Sequence, residues 1–351
     1  MFLPFTLVLG ALLASLSLAS PAIQLKKPRP LVVWHGLGDS HSSPGLLDFF
    51  KMIRKVHPGI FIHSVYIEEE LDKDRQAGFH VAAVAPNSKP PQYGNVDEQI
   101  ELVSEQLAGI PELADGFDAI GFSQGGQFFR AYVERYNHPP VRNLVTFGSQ
   151  HMGVSDIGVC KPFDILCQVA RRAAKAGVYT KWAQENLVQA QYFRDPADLP
   201  QYYTMNKFLT SINNEIPETR NETYAANLAS LDNLVMIMFT EDTTVVPKES
   251  GWFGSEVIQD EFHVFREEEV TYEGEALNGQ ERIGEGLKKS EKVDDRIIIP
   301  MQMQPLYTED WIGLRKLDER GGVSFDVCEG THMNIGDCWE RLVRTWIGRR
   351  V

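Results

Sequence analysis

The sequence predicts an α/β fold: a mostly parallel sheet with helices on both faces and a helical insertion above the strand ends. Three observations carry that expectation. Short apolar runs alternate with amphipathic stretches along the chain. A G-x-S-x-G turn joins one such run directly to a helical pattern. The alternation then stops for one long, aromatic stretch before it resumes.

Met1 to Ser20 is apolar, rich in Leu and Ala, and ends on small residues. Residues 1–20 therefore read as a secretory signal peptide cleaved after Ala19 or Ser20, and residues 21–351 as a single domain. Leu31-Val32-Val33-Trp34-His35 is a buried strand. It ends in Gly36-Leu37-Gly38-Asp39-Ser40, where small residues let backbone N–H groups face inward. Pro44 to Val56 reads as a helix, Ile60 to Ile67 as a second strand, and Glu68 to Pro91 as polar and irregular. Asn95, with Glu98 three residues on, makes a capping-box start for a helix from Val96 to Leu107. Phe117-Asp118-Ala119-Ile120 is the strand that enters Gly121-Phe122-Ser123-Gln124-Gly125-Gly126. Gln127 to Tyr136 leaves that turn with apolar residues three and four apart, and Pro139-Pro140 stops the helix.

Asn143 to Gly148 is the next strand. From Ser149 to Asp232 the chain turns helical and aromatic, and an insertion of this size belongs over the carboxyl ends of the strands. Strands resume at Leu234–Phe239 and Val323–Val327. A last helix, Cys338 to Ile347, turns Trp339, Leu342, Val343 and Trp346 inward. Between Ser255 and Gln304 the chain is acidic with little apolar periodicity, which reads as a partly flexible surface excursion.

Composition narrows the function. The chain has 351 residues, 43% of them hydrophobic and 23% charged, with a formal net charge of −14. That balance supplies no basic stripe for phosphates, so neither nucleic acid nor an anionic membrane surface is an expected partner. After residue 20 no apolar run is long enough to span a bilayer. Four cysteines in a secreted chain suggest two disulfides; Cys160–Cys167 with Cys328–Cys338 is the simplest of three pairings. Asn221-Glu222-Thr223 is a glycosylation sequon suited to the same compartment.

Strand, G-x-S-x-G and helix together make the context of a nucleophile elbow, with Ser123 lifted above the sheet edge. A serine hydroxyl needs a base within reach, and the base needs a carboxylate behind it. In such folds the order is Ser, acid, His, each on a loop at a strand's carboxyl end. His332, just past a strand, fits the base. His263 is the second choice, His151 could line the pocket, and His35 shapes the first loop. For the acid, Asp242 follows the Leu234–Phe239 strand; Glu241 would point the other way and Asp156 is the alternative. The oxyanion needs two backbone donors, for which the amides of Gln124 and Leu37 are the candidates. No H-E-x-x-H, Cys-x-x-Cys or phosphate loop occurs, so no metal and no cofactor is expected.

At this point the residues resemble a known family. Val33 to Ser40, Gly121 to Phe128, Gly148 to Val154, Leu187 to Tyr192, Asn221 to Tyr224, Trp252 to Gly254, Leu306 to Asp310 and Glu329 to His332 look like the palmitoyl-protein thioesterase 1 family, here a member of fungal type. The resemblance implies an α/β-hydrolase of the lysosome or vacuole, reached through the secretory pathway, that takes long-chain acyl groups off cysteine thiols. Its substrates would be S-acylated proteins or peptides and other long-chain acyl thioesters. It carries over Ser123, Asp242 and His332 as the triad, Leu37 and Gln124 as oxyanion donors, and residues 149–232 as the wall of an acyl groove. Three features depart from the family: His41-Ser42 stand where animal enzymes have a cysteine pair, Cys328 and Cys338 bracket the histidine, and the 255–304 segment is longer. The same triad on an oxygen ester would make a lipase or esterase, and a hydrolase fold without turnover would make a binding module.

Overall fold

The computed structural model describes residues 27–78, 95–156, 177–257 and 297–349. Six parallel strands form one sheet in the order β2-β1-β3-β4-β5-β8. These are β1 (Leu31–Trp34), β2 (Ile62–Ser64), β3 (Phe117–Phe122), β4 (Val141–Phe147), β5 (Asn233–Phe239) and β8 (Val323–Cys328). Two further strands among the described residues, β6 (Ser255–Val257) and β7 (Ile297–Ile299), pair antiparallel as a separate ribbon. The parallel sheet with its covering helices is the α/β-hydrolase arrangement that the sequence predicts.

Alternate residues of each strand serve opposite faces, as a pleat of period two requires. Leu31, Val33, Ile120, Phe122, Val145 and Phe147 pack beneath α1 (Pro44–Val56) and the last helix. Val32, Trp34, Phe117, Ala119 and Leu144 face the other way. That face is covered by α2 (Leu71–Ala77), α3 (Val96–Ala108) and α4 (Gln124–Arg135). Helix starts follow local chemistry. The Ser43 hydroxyl accepts from the Leu46 amide ahead of α1, with Pro44 at its first position. Asn95 Oδ1 accepts from the Asp97 amide at 2.8 Å ahead of α3. Asp118, the charged residue of β3, accepts from Arg29, Asn143 Nδ2 and the Gly348 amide, each at 2.8 Å. A buried carboxylate with three donors is satisfied, and it clasps the segments before β1 and after β8 under the sheet.

Between β4 and β5 lie α5 (Lys181–Asn186), α6 (Leu199–Met205), α7 (Phe208–Ile212) and α8 (Glu222–Leu228). After the β6–β7 ribbon come α9 (Pro305–Thr308), α10 (Leu314–Glu319) and, past β8, α11 (Cys338–Trp346). On α11, Leu342 and Val343 are 1% exposed, with Trp339 and Trp346 packed beside them.

Two expectations need correction. The stretch from Glu68 is not irregular throughout: α2 lies in it, with a fully buried Asp74. Its seven residues are mostly charged and lack an apolar stripe, so no periodicity marks it. Likewise the 255–304 excursion is anchored at both ends, where Ser255, Ile299, Met301 and Gln304 are buried and Gln304 Nε2 donates to the Ile299 and Phe253 carbonyls. The rest of that excursion, with His263, lies outside the described residues, as do Cys160 and Cys167.

Candidate active site

The site starts from a strained turn between β3 and α4. Ser123 has φ 50° and ψ −121°, a region that a side chain occupies only when its surroundings over-determine it. Those surroundings are visible: the Ser123 amide donates to the Phe147 carbonyl at 2.7 Å, and the Gly126 amide donates to the Ser123 carbonyl at 3.0 Å. Glycine is required on both sides by close approach. A Cβ on Gly121 would collide with Gly126, and one on Gly125 would sit 2.5 Å from the Trp34 and His35 carbonyl oxygens. Gly126 is constrained too, because a Cβ there would meet the Ser149 hydroxyl.

Two further strand ends deliver the partners of Ser123. His332 follows β8 and Asp242 follows β5, and parallel pairing of these strands sets the two loops side by side. His332 Nδ1 donates to Asp242 Oδ2 at 2.6 Å, and its Nε2 lies 3.0 Å from Ser123 Oγ. The other carboxylate oxygen of Asp242 accepts from the Thr244 and Val245 amides at 2.8 and 3.0 Å, which fixes its plane. With Nδ1 committed to the carboxylate, Nε2 is free to accept the serine proton. Gly148, at φ 56°, leaves room for the imidazole: a Cβ there would stand 3.1 Å from His332 Cε1. The His332 loop is held by the Gly330 amide on Thr240 Oγ1 and the Glu241 amide on the Gly330 carbonyl, and Cys328 is joined to Cys338 around it with Cα atoms 5.7 Å apart.

The competing residues fall elsewhere. Glu241 and Asp156 are exposed. His151 is fully buried, bonded through Nε2 to Thr146 Oγ1 and stacked on Phe253 at 4.8 Å; burial and then Arg130 hold its pKa well below the ordinary value. His35 is buried beneath the first loop against Asp74. Asn221 is exposed and caps α8 through Oδ1.

Leu37 and Gln124 flank the serine from the β1 loop and the first turn of α4. Among the described residues neither backbone amide has a hydrogen-bond acceptor. The Gln124 side chain is held by the Gly78 carbonyl at 3.4 Å and by the Tyr192 hydroxyl, which donates to its Oε1 at 3.2 Å. Asp74 and Gly78 carry no sequence signal, and Gly148 and Tyr192 stand in motifs of the family resemblance that do not show their roles, since each matters only through what it touches in space.

A cavity of about 300 Å³ opens at Ser123. Leu37, Leu46, Phe49, Phe122, Met333 and Ile335 give it a mostly apolar lining, which Ser123, His332 and Asp39 share. Its walls are therefore α1, the β1 loop and the loop after His332. The described part of residues 149–232 does not line it but reaches the elbow on the Gln124 side through Tyr192. Among the described residues no helix is long and apolar enough to cross a membrane.

Comparison with known proteins follows the same lines. The palmitoyl protein thioesterase family profile matches residues 30–332. Palmitoyl-protein thioesterase 1 of Caenorhabditis elegans is 35% identical over 310 residues, covering 88% of each chain. A palmitoyl-protein thioesterase-dolichyl pyrophosphate phosphatase fusion of Schizosaccharomyces pombe is 32% identical over 265 residues, which is 72% of this chain but 40% of that one. A lysosomal thioesterase of Homo sapiens is 26% identical over 252 residues, covering 71% of this chain and 76% of its own. The chain belongs to the palmitoyl protein thioesterase family.

Proposed function

We propose that this chain is a serine hydrolase that removes long-chain acyl groups, palmitoyl foremost, from cysteine thiols of proteins and peptides through an acyl-Ser123 intermediate. The observation that carries this reading is the series Asp242–His332–Ser123 opening onto an apolar cavity. Ser123 Oγ attacks the thioester carbonyl as its proton passes to His332 Nε2, and Asp242 stabilises the imidazolium. The oxyanion rests on the Leu37 and Gln124 amides, where loss of one donor typically costs about 3 kcal/mol. The C–S bond then breaks and the departing thiolate takes the proton from His332 Nε2, which leaves the imidazole neutral for the next step. A thiol with a pKa of about 8.5 leaves with little help from an acid, so hydrolysis of the acyl-serine, with His332 as base toward water, becomes the slower step.

A secretory leader at residues 1–20, a glycan on Asn221 and delivery to a lysosome or vacuole form part of the same proposal. The exposed Asn221, the Cys328–Cys338 bond and the lysosomal name of a distant relative support it.

The test is hydrolysis of a palmitoyl-cysteine peptide and its serine-ester counterpart by the native protein and Ser123→Ala. We expect thioester turnover that falls by at least about a thousandfold in the variant. Preference for the oxygen ester would make the chain a lipase or esterase. Turnover that survives in Ser123→Ala would overturn the assignment of the nucleophile.

A further inference from the structure

The loop that carries Leu37 is tied at both ends to one buried carboxylate outside the Ser123–His332–Asp242 series. Asp74 of α2 accepts through Oδ2 from the His41 amide at 2.8 Å and from His41 Nδ1 at 2.9 Å. His35 Nε2 lies 3.2 Å from the same oxygen. Through Oδ1 it accepts from the Ile67 and Glu68 amides at 2.8 and 3.3 Å. His35 opens the loop and His41 closes it, with Leu37 between them. Immediately after α2, the Gly78 carbonyl receives the side-chain amides of Gln124 and Gln189 at 3.4 and 3.1 Å. One short helix therefore braces both candidate oxyanion donors.

The protonation state of His35 follows from its surroundings. Nε2 faces the Asp74 carboxylate, and Nδ1 lies 3.0 Å from the Gly36 carbonyl. Both neighbours are acceptors only. A neutral imidazole that donates through Nδ1 would turn an Nε2 lone pair toward the carboxylate, whereas the imidazolium places positive charge 3.2 Å from Asp74 Oδ2, an ion-pair contact rather than an aligned hydrogen bond.

We propose that Asp74 is a positioning residue for acyl transfer: its pairing with a protonated His35 sets the loop on which the Leu37 amide meets the oxyanion, and ties turnover to pH on the alkaline side. The proposal rests on the reading of Ser123 as nucleophile. Among the described residues the titratable groups around His35 are Asp74 from α2 and Asp39 and His41 from its own loop. Tyr66 stands beyond His41, and His63 of β2 behind that. Burial opposes charge on His35, but the Asp74 carboxylate, the Gly36 carbonyl and Asp39 more than offset it, and its pKa rises above the ordinary 6.5. Burial likewise opposes ionisation of Asp74, while His35 and the His41 and Ile67 amides hold its carboxyl well below the usual range. The signs agree: the pair is intact at acid pH, survives below the usual carboxylate range, and is lost as pH climbs through the raised value of His35.

The experiment measures kcat and KM on a palmitoyl thioester from about pH 4 to about pH 9 for the native protein, His35→Gln, Asp74→Asn and Ser123→Ala. A palmitoyl trifluoromethyl ketone, which closes on a serine as a hemiketal oxyanion, reports donor alignment directly. We expect kcat at acid pH to fall about tenfold or more in His35→Gln and Asp74→Asn, with KM within about twofold and ketone affinity falling with kcat. The native alkaline decline is expected to flatten in His35→Gln. A folded His35→Gln with native kcat and an unchanged alkaline limb overturns the proposal, whether or not Asp74→Asn folds. So does a loss confined to KM. Turnover persisting in Ser123→Ala would instead overturn the nucleophile itself, a separate outcome.

Discussion

The covalent closure around His332 can be tested by the double substitution Cys328→Ala/Cys338→Ala. The two cysteines are ten residues apart in sequence, so the bond closes a loop of about 11 residues. The chain-entropy relation then gives roughly 9 cal/mol/K, or about 2.8 kcal/mol at 25 °C. Cys328 is 1% exposed, and losing its sulfur adds about 1 kcal/mol for the space left behind. Unfolding entropy for a chain of this length is roughly 0.7 kcal/mol per kelvin, so the melting temperature should drop by about 4 to 6 °C in calorimetry. Turnover should suffer less. The hydrogen bonds linking Gly330 to Thr240 and Glu241 still hold the loop to the end of β5, so kcat is expected to fall by less than about tenfold. A melting shift below about 1 °C would refute the entropic estimate, and a kcat loss approaching that of Ser123→Ala would show that the disulfide, not those hydrogen bonds, places the imidazole.

Asp242→Asn keeps acceptors for the Thr244 and Val245 amides but presents an N–H donor to His332 Nδ1. It should cost about 10⁴ in kcat with melting within about 2 °C of native, and a mild kcat effect would remove the carboxylate from the mechanism. Gly45 lines the cavity and a Cβ there meets nothing within 4 Å, so Gly45→Phe should fold normally and fill the groove. Turnover of palmitoyl thioesters should drop at least about tenfold relative to butyryl thioesters, and an unchanged ratio would place the acyl chain elsewhere. Burial pushes the carboxyl of Glu134 up to about 7 although Arg130 and Arg135 pull it down. A folded value above the unfolded one means that its contribution is full at acid pH and fades as pH rises toward 7 and beyond. Melting of the native protein should therefore decline relative to Glu134→Gln between about pH 5 and pH 7.5; a constant difference would contradict that reading.

The elbow is the most legible part of the chain because its requirements are consecutive: a buried strand, two glycines about a serine, and a helix. Position along the chain also pointed to Asp242 and His332, since parallel neighbours β5 and β8 must end on the same side of the sheet. Strands were legible at Ile60–Ile67 and Val323–Val327, though only Ile62–Ser64 of the former pairs in the sheet. Helix α2 was invisible, because its place is set by what Asp74 binds rather than by any stripe of its own. The β6–β7 ribbon has no local sequence signal for a related reason: its strands are short and some forty residues separate them.

By itself the sequence determined the layering of the fold, the strained serine turn and the order of the acid and the histidine. Each of these is written in neighbouring residues as a period of burial or as turn chemistry. Only the tertiary structure decided that α1 and the His332 loop wall the cavity, that Gly148 makes room for the imidazole, and that one buried aspartate fastens both ends of the loop carrying Leu37. Those are contacts between segments far apart in the chain. They come into being when the sheet is packed, and no local pattern encodes them.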